Sequence, residues 1–283
     1  MIGWNESNRR TVPLRRLIPS LLTTISLASG LASLHFALQA DWDRALAAIA
    51  VAAVFDVLDG GAARLLRASS RFGAVLDSLS DFLSFGVAPA VILHQWMLKE
   101  AGAIGLAATM TFVVCSALRL ARFTSQRRRS SSPATALFFL GLPTPAAAGA
   151  ALIPVMVETT RSLALRAPEW LVIGHTLLIG WLMISRIPTF SIKKVRINRR
   201  LAPLLMVMVG LLVVGASKEP WLTASMIAGG YLLTIPLSVA MAVRLRRGSG
   251  KAAGGDRAAT GARGGGDANG VDSPMGMDQS SRV

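Results

Sequence analysis

One cysteine and three histidines are all the thiolate and imidazole metal ligands that the 283 residues offer. Cys115 stands alone inside an apolar run and cannot form an internal disulfide. His35, His94 and His175 are scattered through apolar stretches without ligand spacing. That excludes a zinc site and leaves them as packing or interfacial residues. Acid is scarce as well: 15 Asp and Glu stand against 30 Lys and Arg, for a formal charge of +15 and a pI of about 11.6. The chain also lacks an internal repeat and any polar stretch able to fold around a core of its own.

Apolar residues are abundant, at 52% of the chain with a mean hydropathy of +0.52. Strong hydrophobicity with strong positive charge fits either a membrane protein with basic loops or a nucleic-acid binder. The basic residues are dispersed between apolar runs rather than gathered in one stripe, which argues against nucleic acid. The runs fall at Leu17 to Leu38, Arg44 to Leu66, Gly73 to Leu98, Gly102 to Phe123, Leu140 to Val157, Trp170 to Ile187, Leu201 to Ala216 and Leu222 to Val243. Their lengths, near the roughly 20 residues needed to cross a bilayer, predict an all-α integral membrane protein, a polytopic bundle of about eight transmembrane helices. The first run carries Ser20, Thr23, Thr24, Ser26, Ser29 and Ser33, small hydroxyl residues that signal tight helix packing.

Lys and Arg collect in cytoplasmic loops, so their distribution sets the orientation. With both termini cytoplasmic, that side holds Arg9, Arg10, Arg15 and Arg16, then Arg64, Arg67 and Arg71, then Arg119, Arg122 and Arg127 to Arg129. Arg186, Lys193, Lys194, Arg196, Arg199, Arg200 and the basic tail follow. The opposite side keeps Arg44, Lys99, Arg161, Arg166 and Lys218, five of the 30. The expected organisation is a basic N-terminal segment over 1–16, a membrane domain over 17–243 and a tail over 244–283. The tail is Gly, Ala, Ser and Asp with scattered Arg, too poor in large apolar side chains to offset the entropy of ordering.

The densest chemistry lies in Asp56 to Asp81, which reads DVLDGGAARLLRASSRFGAVLDSLSD. Asp56 and Asp59 share one helical face, as do Asp77 and Asp81. A chain reversal near Ala68 to Arg71 would bring both pairs to one depth of a helical hairpin. Crowded carboxylates in apolar surroundings each cost several kcal/mol unless neutralised. All-oxygen ligation suits one or two hard divalent ions: Mg²⁺, Mn²⁺ or Ca²⁺. Gly60 and Gly73 let a backbone or a ligand approach, and Arg64, Arg67 and Arg71 offer guanidinium groups to phosphate oxygens. The combination suggests phosphoryl transfer, and places the acids at the cytoplasmic side. Acids inside spans also serve proton relays and ion pathways, so a cation or proton-coupled transporter is the alternative from another class.

The pattern Asp56-x-x-Asp59-Gly60-x-x-Ala63-Arg64, eight residues, Gly73, three residues, Asp77, three residues, Asp81 resembles the signature of the CDP-alcohol phosphatidyltransferases. The resemblance implies integral membrane enzymes, commonly homodimers, that use a divalent metal to move a phosphatidyl or related group from a CDP-linked donor to an alcohol. It implies metal ligation by Asp56, Asp59 and Asp77, with Asp81 as general base and further ligand. Gly60, Ala63, Arg64 and Gly73 would surround the CDP donor. The family opens its first helix with Pro-Asn-x-x-Thr; here Pro19 and Thr23 match, Ser20 replaces Asn, and Thr23 alone is carried over as a donor residue.

A finer resemblance lies in Asp77-Ser-Leu-Ser-Asp-Phe-Leu-Ser-Phe-Gly-Val-Ala-Pro-Ala90, Arg119-Leu-Ala-Arg-Phe123, Phe138-Phe-Leu-Gly-Leu-Pro-Thr-Pro-Ala-Ala147 and Ser185-Arg-Ile-Pro-Thr-Phe-Ser-Ile-Lys-Lys194. These runs are similar to the membrane-type phosphatidylserine synthases, although Thr124 stands where Asn commonly follows Arg-Phe. The implied substrates are CDP-diacylglycerol and L-serine in a bacterial-type inner membrane. Serine's carboxylate needs a cation, for which Arg122 or Lys193, with Ser84 nearby, are the nominees. Glycerol 3-phosphate, choline or an inositol compound remains the alternative acceptor.

Overall fold

The first helix shows how the bundle is built. α1 (Leu17–Leu38) buries Pro19, Thr23, Ser26, Gly30, Ser33 and Ala37, at intervals alternating between four and three residues. That is the 3.5-residue repeat of a narrow helix seam. The seam residues are short, whereas Leu21, Ile25, Leu31 and Leu38 point outward and are exposed. Short side chains inside with large apolar ones outside suit a lipid surround, where close backbone approach rather than water exclusion drives helix association.

The computed structural model describes residues 17–66, 70–129, 139–140, 142–160, 167–185, 188–189 and 202–234. Of the sequence expectations, those on segment 1–16, Arg67, Lys193, Lys194 and the tail 244–283 fall outside these residues.

After α1 the chain turns through Ala40, whose φ of 56° is left-handed. Asp41 then caps α2 (Trp42–Leu65) by accepting from the Arg44 backbone N–H at 3.1 Å. α2 returns antiparallel to α1. Ser33 and Ser26 donate their hydroxyls to the carbonyls of Ala45 and Ala52, each at 2.9 Å, so two of the seam hydroxyls hold the neighbouring backbone. Thr24 and Ser29 instead bond carbonyls of α1 itself.

α3 (Arg71–Leu98) begins at Ser70, whose side chain accepts from the Gly73 N–H at 2.9 Å. It runs parallel to α1, with Ser80 donating to the Thr23 carbonyl at 3.4 Å and Ser84 to the Ser26 carbonyl at 3.3 Å. Two π-helical turns interrupt it, Phe82–Val87 and His94–Leu98. The first starts immediately after Asp81, and such turns are frequent beside functional positions. The contact with α1 is tightest at Gly30, where an added Cβ would lie 2.9 Å from the Ser84 Cβ and 3.0 Å from its Cα. Gly30→Ala is therefore expected to cost about 1–3 kcal/mol through overpacking. A lowered thermal midpoint in detergent would register it; an unchanged midpoint would mean that the two helices do not meet there.

α4 (Gly102–Arg129) follows, then α5 (Thr144–Ala151), α6 (Ile153–Thr159), α7 (Glu169–Ile184) and α8 (Ala202–Lys218), with a further helix, α9, over 220–234. α4 packs along α7. A short antiparallel pairing joins Phe139–Leu140 to Pro188–Thr189. Phe85, Phe112, Leu142, Leu152, Ile179 and Met183 are among the fully buried large side chains of the core.

The run from Leu140 to Val157, expected as one span, is broken at Leu152. Pro154 has no N–H with which to continue the ladder to Ala150. The ring Nε2 of His175 takes that place, 2.8 Å from the Ala150 carbonyl oxygen. His175 is thus accounted for as a packing residue. Among the described residues four helices are long and apolar enough to cross a membrane: Leu17–Leu38, Trp42–Leu65, Arg71–Leu98 and Gly102–Ser125. Shorter apolar helices lie at Glu169–Ile184 and Met206–Lys218. Among the described residues the protein is an all-helical membrane bundle apart from the two-residue pairing.

Candidate active site

The acids sit near the ends of α2 and α3 that face each other across the connection at residues 66–70. Because the two helices are antiparallel, residues a similar distance from the turn come to one depth. Carboxylate oxygens of Asp56, Asp59 and Asp77 all lie within 4.8 Å of one another. Asp81 joins them through a side-chain hydrogen bond with Asp56 and lies in the field of the other two. Asp56, Asp59 and Asp77 thus come together from the two helices, with Asp81 one turn deeper on α3.

Asp59 is the most enclosed, at 5% exposure. Its Oδ2 accepts from the Thr23 hydroxyl at 2.7 Å. That hydroxyl also lies 3.0 Å from the Pro19 carbonyl, but it has one proton, and the nearer, charged oxygen is the stronger acceptor. Thr23 therefore orients a carboxylate of the cluster, which its expected place beside the donor did not foretell.

The residues fit a divalent cation on two counts. The donor set is entirely carboxylate oxygen, the preference of a hard ion. One oxygen, Asp81 Oδ1, is buried without a hydrogen-bond partner. A buried lone pair left so is costly, and the Asp56–Asp81 contact is one that two ionised carboxylates keep only with a cation or a shared proton between them.

Around the acids lies open space. A Cβ at Gly60 or Gly61 would meet nothing within 4 Å, so these glycines do not serve helix packing and leave room for a ligand. Gly73 is closer-set, with the Ser70 Oγ 3.0 Å from such a Cβ. Ala63 is half-buried and Arg64 exposed on the last turns of α2, where the Arg64 Nε–H donates to the Gly60 carbonyl at 3.0 Å.

Of the acceptor nominees, the described residues include Ser84 and Arg122, which serve different neighbours. Ser84 is wholly buried against α1, its hydroxyl spent on the Ser26 carbonyl. It is a packing residue, one turn deeper than Asp81. Arg122 is half-buried and reaches the Ile184 carbonyl at 3.5 Å. Three residues before Arg122 on α4, Arg119 donates from its Nη1 to the Thr144 hydroxyl. Its Nε is buried without a hydrogen-bond partner. The sequence signal was available, because Arg119 lies one helical turn before Arg122 in the same quoted run; nothing in it said which of the two faces inward.

Carboxylates from two antiparallel apolar helices, gathered with an open glycine face beside them, define a membrane enzyme of the metal-dependent phosphoryl-transfer class. The chain belongs to the CDP-alcohol phosphatidyltransferase family, whose profile matches residues 16–185. A protein of Mycobacterium leprae named CDP-diacylglycerol--serine O-phosphatidyltransferase is 35% identical over 233 residues, covering 82% of this chain and 77% of that protein. Proteins of the same name from Helicobacter pylori and Bacillus subtilis are 33% identical over 217 residues and 32% identical over 177. They are covered to 88% and 92% of their own lengths, by 77% and 62% of this chain.

Proposed function

We propose that this chain transfers the phosphatidyl group of CDP-diacylglycerol to the hydroxyl of L-serine, giving phosphatidylserine and CMP. The observation that carries the reading is the convergence of Asp56, Asp59 and Asp77 within 4.8 Å beside open glycines, in a chain whose relatives carry the serine transferase name over most of its length.

In this reading Asp56, Asp59, Asp77 and Asp81 hold one or two divalent ions, Mg²⁺ or Mn²⁺. The metal supplies Lewis-acid stabilisation of charge on the pyrophosphate oxygens and the departing CMP. Arg64 swings from the Gly60 carbonyl to a donor phosphate, while Gly60, Ala63 and Gly73 leave space for the nucleotide. Thr23 keeps Asp59 turned toward the cluster. Asp81 takes the proton of the serine hydroxyl as that oxygen bonds to the lipid-linked phosphorus and the bond from that phosphorus to the CMP oxygen breaks. Serine loses one proton to Asp81, CMP leaves with the bonding pair, and no oxidant or reductant is needed.

The loop charge asymmetry supports a bundle of about eight spans in a bacterial-type inner membrane, with termini and acid cluster on the cytoplasmic side, where serine and nucleotide-activated lipid meet. A membrane domain over 17–243 would then carry the chemistry, and the protein would work as a homodimer like others of its family.

Purified protein in mixed micelles with CDP-diacylglycerol and Mg²⁺ or Mn²⁺ should release CMP when given labelled L-serine and place the label in lipid. Glycerol 3-phosphate should yield less than about a tenth of that rate, since a phosphorylated acceptor calls for additional basic groups. CMP release driven by glycerol 3-phosphate and not by serine would overturn the acceptor. Solute flux in proteoliposomes without CMP release would favour the transporter alternative.

A further inference from the structure

A cavity opens at the end of the bundle remote from the catalytic acids, where α1 turns into α2. Along α2 it lies about 20 Å from Asp56, at about 1.5 Å per helical residue. We propose that this cavity is a binding site for an alkylammonium group, brought by a zwitterionic phospholipid headgroup or by a free amine. It shares no residue with the acid cluster and goes beyond the transfer reaction.

Three observations converge on it. First, the cavity holds about 520 Å³ between the α1–α2 turn, α3 and the end of α6. A water takes about 30 Å³ of liquid, so there is room for a polyatomic group and its hydration. Second, its walls carry Asp41, Asp43 and Glu158, and no Lys or Arg among the described residues. Two of the three carboxylates are engaged: Asp43 Oδ1 accepts from the Trp221 indole N–H at 2.7 Å, and Asp41 lies 3.4 Å from the Arg44 Nη1. Glu158 is not. Its Oε2 is buried without a hydrogen-bond partner, and no ion pair joins it among the described residues. A buried acceptor left open is costly, and an incoming N–H donor would remove that cost. Third, the remaining wall is aromatic. Trp96, only 8% exposed, and the half-buried Trp42 both line the cavity. Indole is the aromatic ring that attracts a cation best, within about 6 Å of its face.

Carboxylate and indole together select an organic cation over a metal ion. Among the described residues the carboxylates that gather within 4.8 Å are Asp56, Asp59 and Asp77, the arrangement a small hard ion needs. Asp41, Asp43 and Glu158 do not gather so, and charge spread over a wider wall suits a larger cation. An alkylammonium offers N–H groups to Glu158 and methylenes to the indoles, whereas an anionic group meets only like charge. The rim favours a cation carried on a phosphate. The Arg44 side chain, 71% exposed beside Asp41, is placed to take phosphate oxygens of a headgroup whose ammonium enters the cavity. Leu38, 67% exposed at the end of α1, adds apolar surface next to it.

The test is thermal unfolding of full-length protein in uncharged detergent micelles, titrated with phosphatidylethanolamine, with phosphatidylglycerol or with free ethanolamine. A ligand that binds only the folded state raises the midpoint saturably. Phosphatidylethanolamine or ethanolamine should do so, and phosphatidylglycerol should not. Glu158→Gln is expected to weaken the apparent affinity by about tenfold or more, in line with loss of a charge-assisted pair. Asp43→Asn, which removes a charge and keeps an oxygen for the Trp221 N–H, should weaken it severalfold and serves if Glu158→Gln does not fold. Arg44→Gln separates the two sources. A response to phosphatidylethanolamine that falls in this variant assigns the site to a lipid headgroup; a response to ethanolamine that Arg44→Gln leaves intact, with none to the lipid, assigns it to a free amine. An equal rise with phosphatidylglycerol, or a rise unchanged in both Glu158→Gln and Asp43→Asn, would mean a general effect of lipid and overturn the site. Binding that emerges only in Arg161→Gln or Arg166→Gln would overturn it too, by making the chain's own guanidinium the occupant. CMP release with serine should match wild type in Glu158→Gln, so the transfer reaction and this site stand or fall separately.

Discussion

Asp81→Asn is expected to lower the rate of CMP release by about 10²–10⁴-fold, the range of a lost general base. The substitution is nearly isosteric and leaves Asp56, Asp59 and Asp77 grouped within 4.8 Å, so binding of metal and CDP donor should persist. The side chain can still hydrogen-bond Asp56, which keeps α2 and α3 in register. What it cannot do is accept a proton from serine. Turnover and CDP affinity should therefore separate, the first collapsing while the second, read by calorimetry with CDP and Mg²⁺, changes little. Near-normal turnover would remove Asp81 from the base role. Joint loss of turnover and CDP binding would make it a ligand first and a base second.

Chelation is expected to have an effect of similar size. Excess EDTA should take CMP release to background, and added Mg²⁺ or Mn²⁺ should restore it, because four carboxylates in one apolar site need a cation both for substrate and for their own repulsion. The chelated protein should also melt at lower temperature, since an ion that binds only the folded state stabilises it by mass action. Asp59→Ala should abolish the restoration. Asp59 is the least exposed of the group, so its loss removes an enclosed ligand and leaves the Thr23 hydroxyl to the Pro19 carbonyl. Full activity in EDTA would sink the metal reading.

The acid cluster was legible in the sequence because it is local. Asp56, Asp59, Asp77 and Asp81 lie on two helices joined by a short connection, and helical periodicity alone sets which residues share a face. The hydroxyls of α1 were legible as packing for the same reason, their spacing following one seam. The break at Leu152 was less so. Pro154 marks it, but the run around it is apolar enough to pass for one span, and the compensating His175 lies 25 residues from the Ala150 carbonyl it caps. The burial of Ser84 was not legible. Ser84 was named as lying near the acceptor, whereas beside Gly30, which has no side chain, it packs into α1 within the π-helical turn that starts at Phe82.

By itself the sequence determined the membrane class, the helical hairpin of acids and the chemistry they can support, since hydropathy, charge and short-range spacing are properties of adjacent residues. Only the tertiary structure decided that Thr23 serves Asp59, that Ser84 is sealed away and that Arg119 meets Thr144 while Arg122 reaches the Ile184 carbonyl. Those outcomes depend on how α1, α3, α4 and α5 rotate about their own axes. That rotation is set by the sum of many small contacts between distant segments, which no short stretch of chain encodes.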